Sequence, residues 1–72
     1  MKFIVTGVKK QEDKMFDSLD HAIAYARSSV FHHGDSANVY TERWTPIFSI
    51  AKHETEVFEN NHTIEAKAAG LL

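Results

Sequence analysis

Apolar and polar residues alternate over residues 2–8, KFIVTGV, with Phe3 and Val5 on one side and Ile4, Thr6 and Val8 on the other. A period of two over this length predicts a first strand. Gly7 marks a bulge or a close approach of backbone. Residues 9–14, KKQEDK, form a polar connection, and Met15 and Phe16 lead from it to pack under a helix.

The period then lengthens. Leu19, Ala22, Ile23, Ala26 and Val30 recur at spacings of three and four, which draws one apolar stripe on a helix. The segment 16–34 also carries its own ends. Asp17 or Ser18 can accept a hydrogen bond from a free N–H of the first turn. Asp20 suits the positive end of the helix dipole, and Gly34 can take the left-handed conformation that closes a helix. The stripe is rich in alanine, so a sheet can approach it closely.

After a turn at Asp35 and Ser36 the period returns to two. In residues 37–43, Ala37, Val39 and Thr41 oppose Asn38, Tyr40 and Glu42. Trp44-Thr45-Pro46 interrupts, because Pro46 has no ladder donor, and residues 47–52 resume an apolar strand. Strands so closely linked pair as an antiparallel hairpin. Residues 55–58 read as a further short strand or the end of a long bent one. Asn60 and Asn61 break the pattern. Residues 62–69 have helix-forming composition, with Gly70 as a stop. A helix this short is marginal alone, and docking of Ile64, Ala68, Leu71 and Leu72 is expected to hold it. The order β-α-β-β, with a short C-terminal helix, predicts one small α+β domain over residues 1–72. Its antiparallel sheet has three to four strands and packs against one main helix.

Composition sharpens this picture mostly by exclusion. A chain of 72 residues buries only roughly 60% of the surface its unfolded form exposes. It has no cysteine, so neither disulfides nor thiolate zinc sites can staple it. Stability must come from packing or from a partner. No apolar run approaches the roughly 20 residues that span a bilayer, and the N-terminal residues read as a strand rather than a signal peptide. A cytoplasmic protein without a membrane segment is expected. In that setting the match of Asn61-His62-Thr63 to a glycosylation acceptor carries no meaning.

Five histidines, His21, His32, His33, His53 and His62, raise the question of a metal. His32 and His33 are adjacent, and neighbouring helical side chains diverge by about 100°. The helical i, i+4 ligand pair and HExxH are both missing. They read better as last-turn residues favoured by the helix dipole. No GxSxG places a serine on a strained turn, and the three glycines are scattered rather than gathered into a phosphate loop. The reading is of a non-enzymatic chain with no catalytic, metal or cofactor residues.

The formal charge is −2, which leaves no general footprint for nucleic acid. Charge is nevertheless uneven. Lys2, Lys9, Lys10 and Lys14 cluster at one end, and Glu54, Glu56, Glu59 and Glu65 at the other. Trp44 stands near Tyr40 and Phe48. It either folds back as a lid, because a small core needs its large side chains, or joins Tyr40 and Glu42 on the outer face as an interface anchor. In the second case Glu54, Glu56 and Glu59 extend that surface toward a basic partner.

The expected function is a non-catalytic protein-binding module that covers a surface of a larger protein, such as one acting on nucleic acid. Small inhibitors from phages or mobile elements and small regulators act in this way. Two alternatives are a nucleic-acid-associated protein using the lysine cluster, and a homodimeric accessory subunit pairing through the edge 47–52 or the outer aromatic face.

Overall fold

The structure is a computed structural model that describes residues 1–8, 11–33 and 35–72, the side chain of His33 excepted. The element order is β1 (Phe3–Thr6), β2 (Lys14–Phe16), α1 (Leu19–His33), β3 (Ser36–Thr41), β4 (Pro46–His53), β5 (Glu56–Asn61) and α2 (Thr63–Ala68). The five strands form one antiparallel sheet in the order β2-β1-β3-β4-β5. The chain is an α+β fold with one main helix and a short C-terminal one.

One strand, β2, lies beyond the expected three to four, and β5 settles the choice at residues 55–58 in favour of a further strand. β2 is part of what reads in sequence as a polar connection and a lead-in to the helix. It pairs with β1, Phe16 opposite Phe3 and Met15 opposite Ile4. Alternation sends its two apolar residues to opposite faces. Phe16 joins the core and lies 5.2 Å from the Tyr25 ring, whereas Met15 is 60% exposed. β5 is a separate strand, reversed from β4 by a two-residue turn in which Glu54 has φ +60°. Glycine is the usual residue at such a position.

One face of the sheet carries the core. Val5, Val39 and Phe48 are direct neighbours across β1, β3 and β4. They meet the alanine stripe of α1, with Ala22, Ala26 and Val30 buried against them. Small side chains let the helix lie close, so Phe48 is enclosed. Burying such a ring contributes roughly 1.5–3 kcal/mol. β4 carries one residue more than β3 between Phe48 and Pro46. This bulge explains why Ile47 and Phe48, adjacent in sequence, are both buried.

The helix starts at Leu19, the first residue of the apolar stripe. Ser18 is its cap, its hydroxyl accepting from the His21 N–H at 3.4 Å. Asp17 instead binds the Lys2 ammonium. The expected stop at Gly34 lies outside the described residues, as do Lys9 and Lys10. Gly7 has φ +79°, and a Cβ there would lie 3.2 Å from the Asn38 amide nitrogen. It therefore marks a close approach rather than a bulge.

α2 docks differently from expectation. Ala66 is its buried residue and Leu72 packs on the core, while Ile64 is 83% exposed and Leu71 and Ala68 also face solvent. Its end follows the glycine rule closely. Gly70, at φ +74°, donates to the Lys67 carbonyl and Leu71 donates to that of Ala66, the paired bonds of a Schellman stop. Among the described residues no helix is long and apolar enough to cross a membrane.

Candidate functional site

The face turned away from α1 presents an apolar row. Met15 lies opposite Ile4, Ile4 opposite Tyr40, and Tyr40 opposite Pro46. Residues directly opposite share a face, so the row crosses β2, β1, β3 and β4. Along the same face the next row is polar: Thr6, Asn38, Ser49 and Asn60.

Trp44 completes the apolar row from the β3–β4 turn. The turn is built on Thr41, whose buried hydroxyl accepts from the N–H groups of Arg43 (3.3 Å) and Thr45 (3.2 Å). The Trp44 N–H donates to the Thr41 carbonyl, and the Thr41 N–H to the Thr45 carbonyl. Such a three-residue loop needs its last residue left-handed, and glycine normally supplies it. Here Trp44 takes φ +62°. Its ring sits 5.5 Å from that of Tyr40, and the residue is 58% exposed. Trp44 is therefore not a lid over the core. It reaches Tyr40 through the turn, not by regular alternation, since β3 ends at Thr41. Glu42 and Arg43 are exposed beside it.

The acidic residues fall elsewhere. Glu54 is in the β4–β5 turn, and Glu56 lies opposite His53, at the far end of β4 from Pro46. Glu59 shares a face with its neighbour Ile50 and turns toward α1. It accepts two bonds from the Arg27 Nε (3.1 and 3.3 Å) and one from Nη2 (2.9 Å). These hydrogen bonds hold the Arg27 pKa above its ordinary value. The structure thus joins Tyr40 and Trp44, leaves Glu42 exposed in the turn between them, and places Glu54, Glu56 and Glu59 elsewhere.

The lysine cluster is partly engaged. Lys2 is bonded to Asp17, whose carboxyl is held below its usual range by that hydrogen bond and by the charge of Lys2. The Lys14 ammonium stands over the Tyr25 ring, 5.1 Å from its centre. Nor is the segment 47–52 an edge, because β4 is paired on both sides. The long edge is β5, all of whose residues are exposed.

On the helix side, Arg27, Val30, Phe31, Ile50, Val57 and Glu59 line a pocket of about 160 Å³. Ligand clefts usually exceed about 300 Å³. Among the described residues no three His, Asp or Glu side chains gather as a metal site would require.

Sequence reasoning sets Ile4 opposite Phe3 and Val5, and Tyr40 opposite Val39, but not Ile4 beside Tyr40 or Met15, where it is buried at 7% exposure. The available signal was the parity of Phe16: if it faces the helix, Met15 cannot. No family model matches the chain, and neither does any curated protein or solved structure compared with it.

Proposed function

We propose that the chain is a non-catalytic protein-binding module whose anchor is Trp44 on the open sheet face. The supporting observation is an exposed tryptophan held at φ +62° against Tyr40. A bulky residue in the left-handed region costs roughly 1–2 kcal/mol that glycine avoids. Solvent gains nothing from this arrangement, whereas a partner gains a rigid aromatic surface. Tryptophan and tyrosine are the usual anchors of such surfaces. Met15, Tyr40 and Pro46 supply apolar area around it, and Glu42 and Arg43 form its polar rim.

In this reading the module acts by covering part of a larger protein, as a small inhibitor or regulator does. Glu54 and Glu56 lie too far from Trp44 to be the rim of that patch. They serve a basic partner only if it is broad enough to reach both ends of β4. The nucleic-acid alternative draws less support, because Lys2 and Lys14 already have partners within the chain.

The test is capture of a partner on the immobilised chain, followed by affinity measurements with wild type and Trp44→Ala. A loss of at least about 30-fold, with an unchanged circular dichroism spectrum, is expected for a central anchor. Unchanged affinity in a folded variant removes Trp44 from the site. Binding that instead weakens steeply with salt on duplex DNA or RNA would favour the lysine reading.

A further inference from the structure

We propose that β5 is a self-pairing edge, through which two copies of the chain join antiparallel about a two-fold axis at Phe58. The two edges of the sheet differ in kind. β2 has three residues, one of them a lysine, while β5 has six, with neither lysine nor proline and no bulge against β4. Short strands and charged side chains, lysine above all, blunt an edge. β5 carries two carboxylates, of which Glu59 is paired with Arg27, and its length and regularity leave it open to pairing.

The phase of the free backbone groups follows from the hairpin. A two-residue turn makes His53 and Glu56 a hydrogen-bonded pair. The bond from the His62 N–H to the Ile47 carbonyl, 2.8 Å, continues the same phase at the other end. Residues of even number therefore bond to β4, and Val57, Glu59 and Asn61 direct their N–H and C=O groups outward.

A two-fold partner strand that uses these groups and keeps side chains on matching faces centres on a residue. It must be Val57, Phe58 or Glu59, because centring on Glu56 or Asn60 carries the ladder past an end of the strand. Centring on Glu59 sets two carboxylates opposite each other, which destabilises a pair. Centring on Val57 places Glu59 against Thr55 in the partner's turn and shortens the ladder. Centring on Phe58 opposes Val57 to Glu59 and Glu56 to Asn60, so no carboxylate meets another. Val57 and Glu59 then exchange N–H···O bonds reciprocally. The charge of each Glu59 is already matched by Arg27 of its own copy. Phe58, 54% exposed, meets Phe58 at the closer, non-hydrogen-bonded spacing. The surface is complementary to itself in one register, which identifies the occupant as a second copy. Phe58 projects from the same sheet face as Tyr40, but it sits on the β5 edge, two strands away from β3, and the pairing does not depend on Trp44.

The test uses the full chain. Sedimentation over a concentration series should give a dimer. Phe58→Asp, which sets two carboxylates at the axis, should weaken it by at least about 30-fold with an unchanged circular dichroism spectrum. Because the chain has no cysteine, Phe58→Cys should form an intermolecular disulfide on mild oxidation, faster than Val57→Cys or Glu59→Cys does. A monomer mass at millimolar concentration overturns the proposal. So does a dimer indifferent to Phe58→Asp, or a monomer that instead binds an extended peptide of another protein along β5.

Discussion

The two faces of the sheet come from the same strands and the same alternation, yet they have different fates. On one, Val5, Val39 and Phe48 meet the alanine stripe of α1 and are enclosed. On the other, Met15, Ile4, Tyr40 and Pro46 make an equally continuous row, in which Ile4 is buried and Tyr40 half-buried while Met15 and Trp44 stay largely exposed. Apolar content does not distinguish the faces. What distinguishes them is whether the chain supplies a partner of its own. The covered face supplies stability, which a core this small cannot spare. The open face is free to meet something else, and its Trp44 holds a backbone conformation that stability alone does not favour.

The sharpest way to break this contrast is to truncate the centre of the covered face. Phe48→Ala should cost about 3–5 kcal/mol, enough to unfold much of the population of a small domain. Urea unfolding followed by circular dichroism measures it. A cost under about 1 kcal/mol would mean that Phe48 is not central to the packing.

Thr41 connects the faces, since its side chain is buried while its hydroxyl organises the turn that carries Trp44. Thr41→Val keeps the volume and removes the acceptor for two N–H groups. A loss of about 1–2 kcal/mol is expected, together with weaker partner binding because the Trp44 ring is no longer held. Stability and affinity that move independently would show that the turn is not built on this hydroxyl.

Trp44→Gly is the counterpart on the open face. It relieves a left-handed penalty of about 1 kcal/mol and forfeits a ring contact of similar size. Net stability should stay within about 0.5 kcal/mol of wild type, against the large loss at Phe48. Partner affinity should fall as it does for Trp44→Ala. A strongly destabilised Trp44→Gly chain would make Trp44 a structural residue.

This contrast also explains what was legible in the sequence. The helix stripe and the strand parities are local periodicities, so the apolar stripe through Ala22 and Ala26 and the opposition of Val39 to Tyr40 are legible, while the side each strand residue takes depends on the fold. The glycine stop at Gly70 is local too. β2 was not legible, because three residues, KMF, carry too little alternation to stand apart from the polar segment before them. Its pairing with β1 depends on contacts across a loop. The position of Trp44 was hidden for another reason. A turn that ordinarily takes glycine was filled by tryptophan, so the usual turn signal was missing. The acidic residues looked like one group because they are close in sequence. Alternation along β5 sends Glu56 and Glu59 to opposite faces, and only the fold brings Glu59 to Arg27.

The smallest effect tests the margin of the sheet, where Lys2 and Asp17 extend the β1–β2 pairing. The Asp17 pKa is depressed in the folded chain by Lys2. A carboxyl with a lower folded than unfolded pKa binds protons more readily when unfolded. Its contribution is complete above the unfolded value and is lost as pH falls through the folded one. Both groups face solvent, so the contribution is small and screened by salt. Comparing the thermal midpoints of wild type and Lys2→Met isolates it from the other carboxylates. Wild type should be slightly the more stable at neutral pH and low salt. The difference should shrink as acid protonates Asp17 and vanish below its folded pKa. A difference that persists in acid would mean that Lys2 stabilises the chain through its aliphatic stem rather than its charge. The β2 margin would then belong, energetically, with the packed face.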